Sequence, residues 1–567
     1  SIAGTGGVVG WADGSVIDSK SSGNVTTSAD TVGGLVGYTR GSVVNPSASG
    51  NVSGANTVGG LVGFENGAGV SNSTASGNVS STGNYVGGLI GFSRDAISAS
   101  SATGNVSGAS NIGGLIGAMQ SGSVTTSHAS GTVTAANASS GSLGGLIGSA
   151  SSGTTITSSY ATGNVTGSGA NNYLGGFVGF ADANISSSYT TSNVSAVGAS
   201  YVGGFVGYSR SNTISNAFAL GNVAGSAYTG GFIGFHSDAN VSDVYAAGNV
   251  TGTTPVGGVT AYQRLSSGTS TLNRAYASGT VTATGTKGGV VGTLASGSVT
   301  NGYWSAALSG LSAGVGSGVA TGTTNLSAVQ MKQQASFTGF DFAAGTGVWR
   351  IYNGNTFPLL RSFLAPLTIT ADNVSKPWDG IAVTSLTNVT YNPPSAVGSP
   401  HVLGSTPPYG AANTMNVGVY QPQVYSDQLG YNITLTGGQL TVTAPAFTLD
   451  VDGSAGASKF QAMTDGLLLL RHLLGLSGTA LTQGATATSS PRNAAQISSY
   501  LQGVGAALDI DANGTYDAAT DGLLVMRYLL GFRGAALIAD AVGICPPSTT
   551  CRTTATDIEN YLATLTP

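Results

Sequence analysis

A mainly β protein is predicted, opening with a parallel β-solenoid over residues 1–304, and three observations carry the prediction. Gly-Gly pairs begin at Gly6, Gly33, Gly59, Gly87, Gly113, Gly144, Gly175, Gly203, Gly230, Gly257 and Gly288, a spacing of 26 to 31 residues. Repeats of that period mean solenoids or propellers. Each unit holds three short β-prone segments, such as "GGLVGF", "NTISNAFA" and "GNVSG", parted by Gly, Ser, Asn or Asp, as strands with tight turns are. A propeller blade takes four strands and about 40 residues or more, so each unit is read as one coil. Finally, aligning the units makes columns: Asn24, Asn51, Asn78, Asn105, Asn164, Asn193, Asn222 and Asn249, completed by Thr132 and Thr280. Stacked amides of this kind can hydrogen-bond from coil to coil.

Four places before that column stands another: Lys20, Ser47, Thr74, Ser101 and His128, then Tyr160, Tyr189, Phe218, Tyr245, Tyr276 and Tyr303. The change from small to aromatic predicts an aromatic stack, or a wider cross-section, in the C-terminal half. The glycines are expected to supply positive φ and close backbone approach at corners. Eleven coils at about 4.8 Å make a rod on the order of 50 Å, and such a rod needs caps. In the segment 305–364 the Gly-Gly pattern stops and Trp349, Tyr352, Phe357, Leu359 and Leu360 cluster; it is read as the C-terminal cap. The chain begins "SIAGTGG", already inside the pattern and without a signal peptide, so a removed upstream part and a missing N-terminal cap are expected.

The units resemble the GLUG repeats of bacterial surface exoproteins, especially two-partner-secretion adhesins of the filamentous-haemagglutinin type. The resemblance covers about residues 1–364. The pieces "YW", "MKQQASF", "FDF" and "IYNGNTFPLL" between Tyr303 and Leu360 are similar to the pattern that closes the array in that family. It implies a right-handed β-helical rod, exported to the cell surface or extracellular space, with adhesive or matrix-building use.

Residues 365–445 lose the period and alternate, from "PLTITADNVSKPWDG" to "YNITLTGGQLTVTAP", which predicts a small antiparallel β domain. The segment resembles the MBG modules that follow adhesin rods, with Trp378, Asp379 and Gly380 in the matching position and "NVGVY" at 416–420. That resemblance implies a spacer without activity.

Residues 446–567 predict a small α-helical domain that is duplicated. "LDVDGSAGASKFQAMTDGLLLLRHLLGLSG" at 449–478 pairs with "LDIDANGTYDAATDGLLVMRYLLGFRG" at 508–534, and "RNAAQISSYL" at 492–501 pairs with "RTTATDIENYL" at 552–562. In the second copy Asp509, Asp511, Asn513, Gly514, Thr515, Asp517 and Asp521 follow the alternating oxygen-donor pattern of a calcium loop, with glycine at the sharp turn. Thr515 would offer its carbonyl, and Asp521 closes the shell one place after the usual twelfth position. The first copy is poorer: Asp450, Asp452, Ser454 and Asp465 remain, with three extra residues before the closing aspartate. Calcium is the expected cofactor. The competing reading is two Asp-rich turns that cap helices at Thr464/Asp465 and Thr520/Asp521. Leu523, Leu524, Met526, Leu529 and Leu530 on one helix, and Ile558, Tyr561, Leu562 and Leu565 on the next, make apolar stripes expected to pack together. The duplicated unit resembles dockerin modules, which implies calcium-dependent docking to a cohesin-like partner; a purely structural tail is the other reading.

Cys545 and Cys551 are the only cysteines, with the five residues "PPSTT" between them. That spacing fits one local disulfide rather than redox machinery. Some two-partner adhesins carry a similar C-terminal pair, which implies a hook at the outer-membrane transporter; a staple for a loose loop is the alternative.

Composition excludes several function classes. Only 7% of residues are charged, 91 are glycine, and the net charge is −5; a basic footprint for nucleic acid or anionic lipid is missing. No apolar run reaches the roughly 18 residues of a membrane-spanning helix. Enzymes built on β-solenoids cluster charge on one face, whereas Lys20, Arg40, Arg94, Arg210, Arg264 and Arg274 are scattered, and four histidines at 128, 236, 401 and 472 form no spaced metal set. Asn-x-Ser/Thr triplets at Asn24, Asn51, Asn78, Asn105, Asn164, Asn193 and Asn249 have the form of glycosylation acceptors, but the coil register already accounts for them, and an inward-facing column would exclude the modification. These exclusions point to a non-enzymatic protein, and the resemblance to surface exoproteins implies that it is a secreted cell-surface adhesin or biofilm-matrix component. Its expected partners are a second copy of itself, a receptor or glycan on a host or neighbouring cell, or a cohesin-like protein, with a self-assembling filament subunit as the rival use.

Overall fold

The computed structural model describes residues 4–135, 141–169, 173–319, 321–377, 383–405, 408–409, 418–443, 447–456, 459–547 and 551–566. Two compact units divide the chain, Ser1–Leu364 and Ala365–Pro567. Trp378, Asp379, Gly380 and the start of "NVGVY" lie outside the described residues.

The first unit is the expected parallel β-solenoid of about eleven turns, and the columns are real. Tyr160 pairs with Tyr189, Tyr189 with Phe218, and Tyr245 with Tyr276, each in parallel register one turn apart. Where three strand segments per coil were expected, four sheets run along the rod. The Gly-Gly phrase itself bends the chain, so Thr57–Gly59 and Val62–Glu65 are separate strands on separate sheets. The residue between them points inward: Leu35, Leu61, Leu89, Leu115, Leu146, Phe177, Phe205, Phe232, Val259 and Val290 form a fully buried column. Phe177, Phe205 and Phe232 stack face to face at 4.6 and 4.7 Å.

The asparagine column forms a ladder, but by a different bond from the one the spacing suggests. The side-chain oxygen of Asn51 accepts from the backbone N–H of Asn78, and the same link repeats from Asn24 to Asn51, Asn193 to Asn222 and Asn222 to Asn249 at 2.8–2.9 Å. These asparagines face solvent, so the inward orientation that would exclude glycosylation is not present. Positive φ is also placed differently. The corner at Asp18, Asn45, Asn72, Ala99, Thr126, Ser158, Ser187, Asn216, Asp243, Arg274 and Asn301 is left-handed in every coil, with φ between 47° and 60°. Asn and Asp tolerate that region better than other side chains with a Cβ. A buried serine follows the corner in five successive coils; Ser100, Ser127, Ser159 and Ser188 each accept the backbone N–H of the serine one coil before. That satisfies a donor which the corner takes out of the sheet.

One place after the serines stands the aromatic column, stacked from His128 to Tyr276 with ring separations of 4.7–5.2 Å. Residues 305–364 explain the switch. Strands Val315–Gly318 and Thr323–Asn325 extend two of the sheets, and the buried Trp304 lies over Gly289 and Gly314, closing the end. The rest of the segment read as a cap runs back along the flank. Phe337 and Phe340 meet Tyr303, Trp349 meets Tyr245 and Tyr276, and Phe363 meets Tyr189 and Phe218. Tyr276 donates to the Pro358 carbonyl at 2.6 Å, and Trp349 Nε1 to Asp243, which also holds Arg274 in a two-point ion pair. Trp349 is fully buried. Trp349→Ala is expected to cost about 3–5 kcal/mol and to free the flank segment; a lowered melting midpoint and early trypsin cleavage at Lys332, Arg350 or Arg361 would show it.

His236 is a core residue of the rod. It is fully buried, its Nε2 contacts the Ala239 carbonyl at 2.7 Å, and Nδ1 has no partner. Burial pushes its pKa down to about 4 from 6.5, against the opposing pull of the Ala239 carbonyl and Asp238. The folded state thus binds fewer protons than the unfolded state between those values. Its stability contribution is complete above pH 6.5 and is lost as pH falls toward 4, by up to roughly 3 kcal/mol. The rod's melting midpoint should drop across that window, and His236→Gln should flatten the drop.

In the second unit, small sheets come first. Ala365–Ala371 pairs antiparallel with Thr390–Asn392, Val402–Gly404 with Val424–Ser426, and Gly418–Tyr420 with Leu440–Thr443, as alternation predicted. Two parallel pairings join them, Ala365–Ala371 with Tyr431–Gly437 and Val374–Pro377 with Leu440–Thr443. The helices follow: Leu467–Leu473 and Leu523–Leu529, each entered through a wide five-residue turn, and Ala494–Val504 and Ala555–Thr564, with N-caps Asn493 and Thr554. Leu470 and Leu473 pack on Gly522, while Met526 and Leu529 pack on Gly466, so each copy's first helix lies against the start of the other's. Leu524, Ile558, Leu562 and Leu565 are buried in one core as the stripes predicted, whereas Leu530 is exposed. No helix among the described residues is long and apolar enough to cross a membrane.

Candidate metal centre

Each copy of the C-terminal repeat begins with a loop that folds around its own closing aspartate. In the second copy Asp521 Oδ1 accepts from the backbone N–H of Ile510 and Asp511, and its Oδ2 accepts from Asp517 N–H and the Thr520 hydroxyl. In the first copy Asp465 does the same for Val451, Asp452, Gln461 and Thr464. The same four bonds therefore form in both copies although the first loop is three residues longer. Neither closing aspartate caps its helix. In the second copy the cap is Asp517, whose Oδ1 accepts from Ala519 and Thr520 N–H at 2.8 and 2.9 Å, so the capping alternative named the wrong residues there.

Two triads result. Asp450, Asp452 and Asp465, and likewise Asp509, Asp511 and Asp521, bring carboxylate oxygens within 4.8 Å of one another. Of the other expected donors, Asn513 is buried beside Asp511 and its Oδ1 accepts from the N–H and hydroxyl of Thr515. Ser454 is buried, with its N–H on Asp452. Asp517 is committed to the helix start. Among the described carboxylates, the two triads are the sets that converge.

Electrostatics fit a cation at both places. Burial pushes Asp450 up to about 6, with the Asp465 charge adding to it, and pushes Asp521 up to about 6 with help from Asp511. Burial also raises Asp465 and Asp511. The Oδ1 of Asp450 is shielded from solvent without a hydrogen-bond partner. Clustered carboxylates resist joint ionisation, and a hard cation that prefers oxygen ligands would remove that cost. The residues present fit such an ion.

Supporting residues missed in the sequence brace each loop from behind. Arg492 donates to the carbonyls of Asp450 and Val451, and Arg552 to those of Asp509 and Ile510. Their guanidinium groups lie over Tyr500 and Tyr561 at 4.1 and 3.7 Å. The signal was visible in the matched "RNAAQISSYL" and "RTTATDIENYL", where the arginine and tyrosine recur; the one-residue change in spacing hides that both arginines do the same job. Gly543 N–H donates to Asp511 as Ala487 N–H does to Asp452. Cys545 and Cys551 are joined as a disulfide in the connector just beyond Gly543. No protein-family model, curated protein or solved structure matches this chain.

Proposed function

We propose that this chain is a secreted, non-enzymatic cell-surface adhesin or biofilm-matrix exoprotein of the GLUG-repeat, two-partner-secretion kind, ending in a dockerin-like module that takes calcium at its two aspartate triads. The observation that carries the reading is the use to which the repeat is put. Its columns of Leu, Phe and Tyr are absorbed in coil-to-coil packing and those of Ser and Asn in coil-to-coil hydrogen bonds, the economy of a spacer that presents a surface. Incubating the purified, labelled chain with bacterial and host cells, and imaging it by negative-stain electron microscopy with calcium and with chelator, tests this. Discrete rods that bind cells are expected. Long periodic fibres formed by the chain alone would replace the reading with a filament subunit.

A second reading, calcium-dependent docking to a cohesin-like partner, is favoured by apolar side chains repeated after both first helices. Leu474 and Leu476 are 63% and 39% exposed in one copy, Leu530 and Phe532 55% and 47% in the other. Single surface apolar residues are ordinary, but matched pairs on both halves of a duplicated module suit a partner face. Capture of the chain by an immobilised cohesin in calcium, released by chelator, would establish it.

A further inference from the structure

A second aromatic column runs along the rod, on the face opened by the last residue of "GGLVGF". Trp11, Tyr38, Phe64 and Phe92 stack in the first four coils, and Phe180, Tyr208, Phe235 and Tyr262 in the seventh to tenth. Arginines lie on the rings: Arg40 over Trp11, Arg94 over Phe64 and Phe92, Arg210 over Phe180, Arg264 over Phe235. Between the two runs the fifth and sixth coils place Ala118 and Ser149 in the same register, Phe92 pairing with Ala118, Ala118 with Ser149, and Ser149 with Phe180. The neighbouring column is interrupted in the same two coils: Tyr85 precedes Asn111 and Ser142, and Tyr173 and Tyr201 follow. Two ladders that lose their rings together leave a notch of about 390 Å³ in one flank.

The notch has an aromatic wall and a polar rim. Phe92 and Tyr85 stand edge to face at 5.3 Å at one end. Tyr85 is 37% exposed and sits at φ 58°, in the left-handed region that Asn111 and Tyr228 of the same column also occupy. Arg94 donates to Gln120 Oε1 at 2.7 Å and Asn66 Oδ1 at 3.1 Å, leaving further donors on the same guanidinium. Asn111 and Gln120 line the rest. A pyranose ring matches this set: its apolar C–H face packs on the electron-rich face of an aromatic ring, and its hydroxyls need the paired donors and acceptors of Arg, Asn and Gln. A peptide's aromatic side chain would use the wall and leave the rim unpaired.

We propose that the notch binds a pyranose unit of a glycan. The proposal rests on the adhesive reading for its biological setting and names the receptor class for it. The test is saturation-transfer NMR on the full chain with cellobiose, lactose, maltose and chitobiose, and with N-acetyl-tyrosinamide as the peptide probe. The comparison variant is A118F with S149F, which restores the rings found in the coils on either side; its melting curve reports the fold. Saturation of sugar ring protons in the wild type, weakened about tenfold in affinity in the filled variant and likewise in Arg94→Ala, is the expected result. No sugar signal that differs between wild type and filled variant, or binding of N-acetyl-tyrosinamide alone, overturns it. Cell adhesion retained by the filled variant ends the notch as the receptor site and leaves the adhesive reading, whereas sugar binding by a chain that adheres to no cell ends the adhesive reading and leaves the notch.

Discussion

Gly113→Val is expected to unfold the middle of the rod, with a loss beyond about 5 kcal/mol. A side chain on Gly113 would strike the carbonyl oxygen of Ile116, on the far side of the bend within its own coil. On the next residue, Gly114, it would strike the carbonyl oxygen of Gly145 in the following coil. Those carbonyls cannot turn aside, because the backbone around them is held by coil-to-coil bonds such as Gly114 N–H to Gly144 and Leu115 N–H to Leu146. Stability in a solenoid is a sum of units and their interfaces, so one broken coil also removes two interfaces. Gly23→Ala is the control: nothing lies within 4 Å of a side chain there, and a change within about 0.5 kcal/mol is expected. Circular dichroism melts of both variants decide the matter, and a Gly113→Val midpoint close to wild type would refute the collision.

Calcium removal is expected to have the second large effect, confined to the unit that carries the triads. With calcium in excess, the melting transition of residues 365–567 should rise as RT ln(1 + [L]/Kd) requires, about 2.7 kcal/mol at a hundred times Kd, and chelator should return it. Asp521→Ala should abolish that response and destabilise the unit further, since Ile510, Asp511 and Asp517 lose the acceptor for their N–H groups; each buried orphan donor costs about 1–3 kcal/mol. The pH dependence has a definite sign. Without cation, Asp450 and Asp521 hold their protons to about pH 6 when folded, while an unfolded aspartate releases its proton near 4. The folded state binds more protons in that window, so the cation-free unit loses stability as pH rises from about 4 to 6. Calcium needs the ionised carboxylates, so its stabilisation should grow over the same window. Calorimetry at several pH values, with and without calcium, reads both slopes; a calcium-independent transition would remove the ion from the site.

The two units should respond oppositely to acid, and the reason lies in the sign of the buried group. His236 is a base that burial keeps neutral, so acid charges it; the triad aspartates are acids that burial also keeps neutral, so acid suits them. A two-step melt whose transitions move in opposite directions between pH 6 and 4 is the combined signature.

By itself the sequence determined the neighbours along the rod. A repeat with a constant period lays the same position over itself, so Tyr160, Tyr189 and Phe218 must meet once the chain stacks, and the duplicated Asp-x-Asp loops must bring alternate side chains to one side. Only the tertiary structure decided which way those columns face and what covers them. The asparagines turn their oxygens to the next coil's N–H on the solvent side, the left-handed corner falls on Asn, Asp or Ser in eight of its eleven coils, and residues 326–364 lie along the aromatic flank. Asp517 serves its helix, and Arg492 and Arg552 reach the loops across about forty residues of chain. The physical reason is that periodicity specifies translation along the axis, whereas side-chain direction and the path of a non-repeating segment follow the cross-section of the coil, which exists only when every strand of the turn is in place.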